Sequence, residues 1–137
     1  MTTITATKGE LVHLINGLFQ VQELKGKKFG LTVSKNIVIL KKELQDLEEM
    51  GKPSEEFMEL ATKVNEIANE GSEDSKEVID NLEKENEVLV TSRREQMDKI
   101  TILMEEEVSV ELNTLTESIL PEDISAAQIN NIIKIIE

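Results

Sequence analysis

Apolar positions recur along this chain with two periods, and the changes of period mark out its elements. Residues 2–6 are rich in β-branched side chains (Thr2, Thr3, Ile4, Thr5) and predict a short strand. From Leu11 the period becomes helical, with Leu11, Leu14, Ile15 and Leu18 on one face. Thr7-Lys8-Gly9-Glu10 ahead of it reads as a capping box, with Thr7 at the N-cap and Glu10 reaching back. Lys25-Gly26 predicts its end, because glycine adopts a left-handed C-cap and lysines suit the negative helix terminus. Phe29, Val33, Ile37, Leu40, Leu44 and Leu47 then follow at intervals of four, four, three, four and three. That stripe predicts a second helix from about Lys28 to Met50, stopped by Gly51-Lys52-Pro53.

Ser54 predicts the cap of a third helix over about 55–69, with Phe57, Leu60, Ala61, Val64, Ile67 and Ala68 on its apolar face. Gly71-Ser72 breaks it. Ser72 or Ser75 is expected to cap a fourth helix running to about Met104. Its stripe starts at Val78, Ile79, Leu82 and Leu89, is interrupted at Asn86, Arg93 and Gln96, and resumes at Met97, Ile100, Leu103 and Met104. From Glu107 to Asn113 the period falls to two, with Val108, Val110 and Leu112 on one side and Ser109 and Glu111 on the other. This predicts a half-buried strand whose available partner is residues 2–6, paired antiparallel. A two-stranded ribbon is marginal by itself, so it must lie on helices or join another subunit. After Pro121, Ser125-Ala126-Ala127-Gln128 forms a second capping box. The helix behind it is expected to place Ile129, Ile132, Ile133 and Ile136 on one face, covered by the core or by a partner.

The expected fold is therefore α+β and predominantly α-helical. Four main helices and a short C-terminal helix accompany a small two-stranded β element joining the N-terminal strand to a late strand. No repeat or low-complexity tract occurs, and residues 1–137 are expected to form a single domain, with 71–74 an exposed turn between helices.

Composition narrows the chemistry. The chain has no cysteine, one histidine, three phenylalanines, and neither tyrosine nor tryptophan. Thiolate chemistry, disulfides, paired imidazoles and aromatic base-stacking platforms are excluded. No segment approaches the roughly 18 apolar residues of a membrane span. The net charge of −13 makes direct nucleic-acid binding unexpected, and it is unevenly spread. Residues 1–42 hold seven lysines and two glutamates, net +5, whereas the remainder is net −18. Either the basic and acidic helices pack as neighbours, or Lys25, Lys27, Lys28 and Lys35 meet an acidic partner or line a ligand pocket across a subunit interface.

No catalytic constellation is visible. His13 lacks an identifiable nucleophile or acid partner. Glu105-Glu106-Glu107 straddles a helix-to-strand junction, so its side chains diverge, and no hard-cation loop pattern is present. No phosphate-cradling glycine loop exists. No catalytic residue, metal ligand or cofactor is therefore expected. Arg93 and Arg94 are the only arginines and form a candidate contact, with same-helix pairing to Glu83–Glu87 or Glu95 as the simpler expectation. Ile129, Ile133 and Ile136 are the apolar interface candidates, and self-association into a homo-oligomer is expected.

Two stretches carry a resemblance. Phe29, Val33-Ser34-Lys35-Asn36, Leu40 and Glu43-Leu44 follow the basic run Lys27-Lys28. Leu103 to Leu112 passes from acidic to alternating, and Leu120-Pro121-Glu122-Asp123-Ile124-Ser125-Ala126-Ala127-Gln128 closes the pattern. Together these resemble a group of small uncharacterised proteins encoded in tailed-bacteriophage genomes, although Leu31 stands where that group often has an aromatic residue. The resemblance covers both ends of the chain. It implies a phage origin, an α-rich fold with a small β element, and no assigned reaction. The function expected on this footing is a non-enzymatic protein-protein interaction protein, acting in virion morphogenesis as a minor structural or assembly factor. An early accessory protein that inhibits a host or defence target through an acidic, nucleic-acid-like surface is the alternative, and an oligomeric ligand-sequestering protein a third. The expected partner is a phage structural or host protein, with no membrane association, in the host cytoplasm or the virion.

Overall fold

A computed structural model describes all 137 residues. The order of elements is β1 (Thr2–Thr7), α1 (Lys8–Val21), α2 (Lys27–Glu43), α3 (Gln45–Gly51), α4 (Glu55–Glu70), α5 (Ser75–Glu85), α6 (Glu87–Met104), β2 (Glu107–Leu112) and α7 (Ala126–Asn131). Short 3₁₀ turns occupy Glu117–Ile119 and Ile133–Ile135. The fold is α+β and mainly α, with β1 and β2 paired antiparallel from Thr2 opposite Leu112 to Thr7 opposite Glu107. The sequence shows no internal boundary, whereas the packing divides into two compact units, Met1–Glu48 with Ile102–Glu137, and Glu49–Thr101.

In the first unit the β ribbon lies against helices. Ile4, Ala6, Val110 and Leu112 are buried on its inner face, while Thr3, Thr5, Ser109 and Glu111 are exposed on the other. Thr5 and Ser109 hydroxyls bond across the strands at 2.9 Å. The predicted capping box closes the start of α1. The Glu10 N–H donates to the Thr7 hydroxyl at 3.1 Å, and the Thr7 N–H donates to the Glu10 carboxylate at 3.3 Å. Leu11, Leu14, Ile15, Leu18 and Val21 turn inward from α1 to meet Phe29, Val33, Ile37 and Leu40 of α2. Gly17 lets α7 approach: a Cβ there would stand 3.0 Å from Asn131 Cβ and 3.1 Å from Ile132 Cγ2.

Four boundaries differ from the sequence expectation. Helix α1 stops at Val21, and Gly26 begins the next helix instead of ending this one; its φ of 136° is open to glycine and strained for other residues. The helix expected over 28–50 breaks at Leu44, whose N–H faces both Leu40 and Lys42 carbonyls. Leu44 and Leu47 stay buried on either side of the break, so the apolar spacing runs through it without a mark. The expected long fourth helix breaks at Asn86, where the side-chain amide donates to the Leu82 carbonyl at 2.9 Å and competes with the helix ladder. Neither Ser72 nor Ser75 caps α5. Asp74 holds the N-cap position, and the Ser75 hydroxyl donates to the Ile67 carbonyl of α4 at 3.2 Å.

The C-terminal helix is also shorter than expected. The Ser125–Gln128 capping box is present, but α7 lasts six residues before tightening into the 3₁₀ turn. The tighter turn rotates the isoleucines. Ile132 and Ile135 are fully buried, Ile129 and Ile136 are half-buried, and Ile133 is 52% exposed. The segment is held by backbone bonds from Leu115 N–H to the Ile135 carbonyl (2.8 Å) and from Glu137 N–H to the Leu115 carbonyl (2.9 Å).

In the second unit, Ser54 caps α4 by accepting from the Phe57 N–H at 3.2 Å, and Gly71 ends it in the left-handed conformation. Helices α4 and α5 pack together. Leu60 and Ile100 are the buried apolar residues of this unit, and α5 buries none.

Candidate functional site

In Glu49–Thr101, the apolar stripes predicted from sequence are present and incompletely covered. Phe57, Val64, Ile67, Ile79, Leu82 and Leu89 are half-buried. Met58, Val78, Val88 and Met97 are exposed, Val88 at 81%. Fifteen acidic and seven basic residues surround them, a net of −8. A groove of about 780 Å³ runs between α4 and the α5–α6 junction, lined by Leu60 and Leu89, by Glu56, Glu59, Glu85 and Glu87, and by Lys63 and Lys84. Apolar side chains therefore sit among charges of both signs with an acidic excess. That arrangement favours contact with a protein surface that is apolar at its centre and basic at its rim.

The two arginines separate in role. Arg93 is engaged within the unit: its Nη1 donates to the Gly51 carbonyl at 3.0 Å and to Gln96 Oε1 at 2.9 Å, and its guanidinium lies 5.7 Å from the Phe57 ring centre. Gln96 donates in turn to the carbonyls of Lys52 (2.9 Å) and Met50. The polar gap that Arg93 and Gln96 open in the stripe thus serves the carbonyls at the end of α3, which a helix terminus leaves without intrahelical donors. Arg94 is exposed beside the acidic groove residues Asp80, Glu83 and Glu87. The expected ion pairing of either arginine to same-helix glutamates is not formed.

In the other unit, Lys25, Lys27, Lys28 and Lys35 are all exposed, and none lines the clefts beside α1. Two apolar clefts flank α1. One, of about 450 Å³, is lined by Val12, Phe19, Leu47 and Met104, with the Lys41 ammonium 5.6 Å from the Phe19 ring centre. The other, of about 540 Å³, is lined by His13, Leu14, Met104, Ile133 and the Glu10–Lys134 ion pair. The Lys134 ammonium, bonded to the Glu10 carboxylate, together with the Thr7 N–H, holds that carboxyl below the usual range. His13 is exposed and bonded to no neighbour. Of the isoleucine candidates, Ile133 lines this cleft, whereas Ile129 and Ile136 are half-buried and do not.

Two polar residues missed in the sequence organise this unit. Asn36 is fully buried, yet both polar atoms of its amide are bonded: Nδ2 donates to the Asn113 carbonyl at 2.8 Å, and Oδ1 accepts from the Asn113 N–H at 2.7 Å and Nδ2 at 3.2 Å. A polar residue three places after Val33, inside the apolar stripe of α2, was the available signal. Lys8 is 6% exposed and pairs with Glu106 at 3.4 Å, beside the backbone bond from its own N–H to the Glu106 carbonyl. Glu106 is thus an ion-pair partner, and Glu105 and Glu107 are exposed.

No three histidine, cysteine or acidic side chains converge as a metal-binding group, and no helix is long and apolar enough to cross a membrane. Compared with known proteins, the chain matches no family model, no curated protein and no solved structure.

Proposed function

We propose that this chain is a non-enzymatic protein-protein interaction protein that binds its partner through the helices of residues 49–101. One observation carries the reading: α4 and α5 have well-formed apolar stripes and α6 an interrupted one, yet the three helices fully bury only Leu60 and Ile100. Leaving Val88, Met58, Val78 and Met97 exposed on a charged surface has a solvation cost that a partner's apolar surface removes. The resemblance of both chain ends to tailed-bacteriophage proteins supports a partner among phage structural proteins, with the chain acting as an assembly or minor structural factor. The acidic excess of the same helices supports a second reading, in which an early accessory protein occupies the basic nucleic-acid site of a host enzyme.

The test is affinity capture of the tagged full-length protein from infected cells, with a Val88→Asp/Met58→Asp variant in parallel. Both positions are exposed, so the variant is expected to fold. Recovery of portal, capsid or tail protein by wild type, lost in the variant, supports the assembly role. Recovery of a host nuclease, polymerase or defence protein supports the inhibitor reading. A partner retained equally by the variant overturns the assignment of the surface.

A further inference from the structure

We propose that the outer edge of β1 pairs with the β1 edge of a second copy, giving a four-stranded sheet in the order β2–β1–β1–β2 across a two-fold axis. This goes beyond partner binding by residues 49–101 and uses a surface in the other compact unit, so either proposal can be overturned while the other stands.

The two edges of the ribbon differ. In an antiparallel ladder, hydrogen-bonded pairs recur at every second residue. The bond from Lys8 N–H to the Glu106 carbonyl (2.9 Å) continues the β1–β2 register and sets its phase. Thr2, Ile4 and Ala6 therefore direct their backbone groups at β2, and Thr3, Thr5 and Thr7 direct theirs outward. On β2 the outward set is Glu107, Ser109 and Glu111, followed by Asn113. That edge is blocked at its Asn113 end and charged along the rest. The Asn36 amide occupies both backbone groups of Asn113, like one residue of an added strand, and Glu107 and Glu111 put like charges along the rest. On β1 the Thr7 N–H is taken by Glu10, but the outward N–H and carbonyl groups of Thr3 and Thr5 bond no other backbone group. No residue of β1 is charged. An uncharged, β-branched edge with open backbone groups is a template for another strand.

The strand's own pattern selects a second copy. Thr3-Ile4-Thr5 is symmetric about Ile4. Read antiparallel about that residue, Thr3 of each copy faces Thr5 of the other, each pair exchanging two backbone hydrogen bonds. Ile4 then meets Ile4 on the buried face, Thr2 meets Ala6, and threonines meet on the solvent face. The pairing also relieves the marginality of a two-stranded ribbon. Two chains of net −13 repel elsewhere, so association through an uncharged edge must tighten as salt rises.

Sedimentation equilibrium of the full-length protein over a concentration series tests this. The expected result is a monomer–dimer equilibrium that shifts to dimer with added salt. Thr5→Pro removes an outward N–H and no ladder bond, so it is expected to keep the helical circular dichroism and raise the dimer dissociation constant about tenfold or more. Thr5→Val, which keeps that N–H, is expected to dimerise as wild type does. Because the chain has no cysteine, a Thr3→Cys/Thr5→Cys variant tests the edge contact: oxidation is expected to give a disulfide-linked dimer, and Thr3→Cys alone, which faces Thr5, is expected to cross-link less. A wild type that stays monomeric at the highest concentration and salt reached overturns the proposal. So does a folded Thr5→Pro variant that still dimerises. If Thr5→Pro unfolds, the cysteine pair decides, and a failure to cross-link overturns the proposal.

Discussion

The two compact units are built from equally regular helices but bury their apolar residues to different degrees. Of the twenty buried hydrophobic residues, eighteen belong to Met1–Glu48 with Ile102–Glu137, and two belong to Glu49–Thr101. Both regions have helical periodicity, and each has a helix closed by a side-chain cap, Thr7 on α1 and Ser54 on α4. The difference lies in what surrounds each helix. Helices α1 and α2 meet each other, and each also meets a further element, the β ribbon or α7, so their stripes are enclosed from more than one side. Helix α5 meets α4 and buries nothing fully. An amphipathic stripe therefore identifies a helix, whereas the number of neighbours decides whether that stripe becomes core or interface.

The sharpest way to break this comparison is to truncate one side chain in each unit. Phe29, 1% exposed in the first unit, is expected to cost about 3–5 kcal/mol as Phe29→Ala, from lost burial and the cavity left behind. Val78→Ala on α5, where the side chain is 44% exposed, is expected to stay within about 1 kcal/mol. Urea denaturation of both variants checks this, and equal losses would mean that α5 is as enclosed as α2.

Asn36→Ala is expected to cost less than Phe29→Ala, about 1–3 kcal/mol, because it strands the N–H and carbonyl of Asn113 without partners. Its distinguishing signature is local. Hydrogen exchange at Asn113 and along β2 is expected to speed up more than exchange in α4, whereas uniform acceleration would show only general destabilisation.

The smallest effect concerns Glu10. Its carboxyl is lowered by Lys134 and the Thr7 N–H, so the folded state favours the ionised form more than the unfolded chain does. The resulting stability is present above the unfolded pKa and is lost as pH falls through the folded pKa. Glu10→Gln is expected to flatten this acid limb of the stability-against-pH curve while leaving the neutral-to-basic limb in place. Thermal melts of wild type and variant across the carboxylate range check it. An unchanged acid limb would place the titrating group elsewhere.

The legible parts of this protein are those governed by a few adjacent residues. The Thr7–Glu10 and Ser125–Gln128 capping boxes, the Ser54 cap, and the alternation of Val108, Val110 and Leu112 all occur where the sequence places them. The antiparallel pairing of β1 and β2 was legible too, by elimination, since each was the other's available partner. The breaks at Leu44 and Asn86 were not, because a helix can be interrupted by one residue while its apolar spacing continues. The candidate surface was legible in its residue types and illegible in its membership. Arg93 and Arg94 are adjacent in sequence, yet one reaches the carbonyl of Gly51 and the other faces solvent.

The amino-acid order by itself determined the helical and strand periods, the caps, the charge asymmetry and the absence of thiol chemistry, since each depends on residue type and short-range spacing. Tertiary structure alone decided which stripes became core, that Ile135 is buried while Ile133 faces a cleft, that Asn36 blocks the Asn113 end of one edge of the β ribbon, and that the outward groups of Thr3 and Thr5 bond no other backbone group. Burial and hydrogen-bond partnership depend on residues distant along the chain, and Asn36 and Asn113 meet across 77 positions that no local pattern spans.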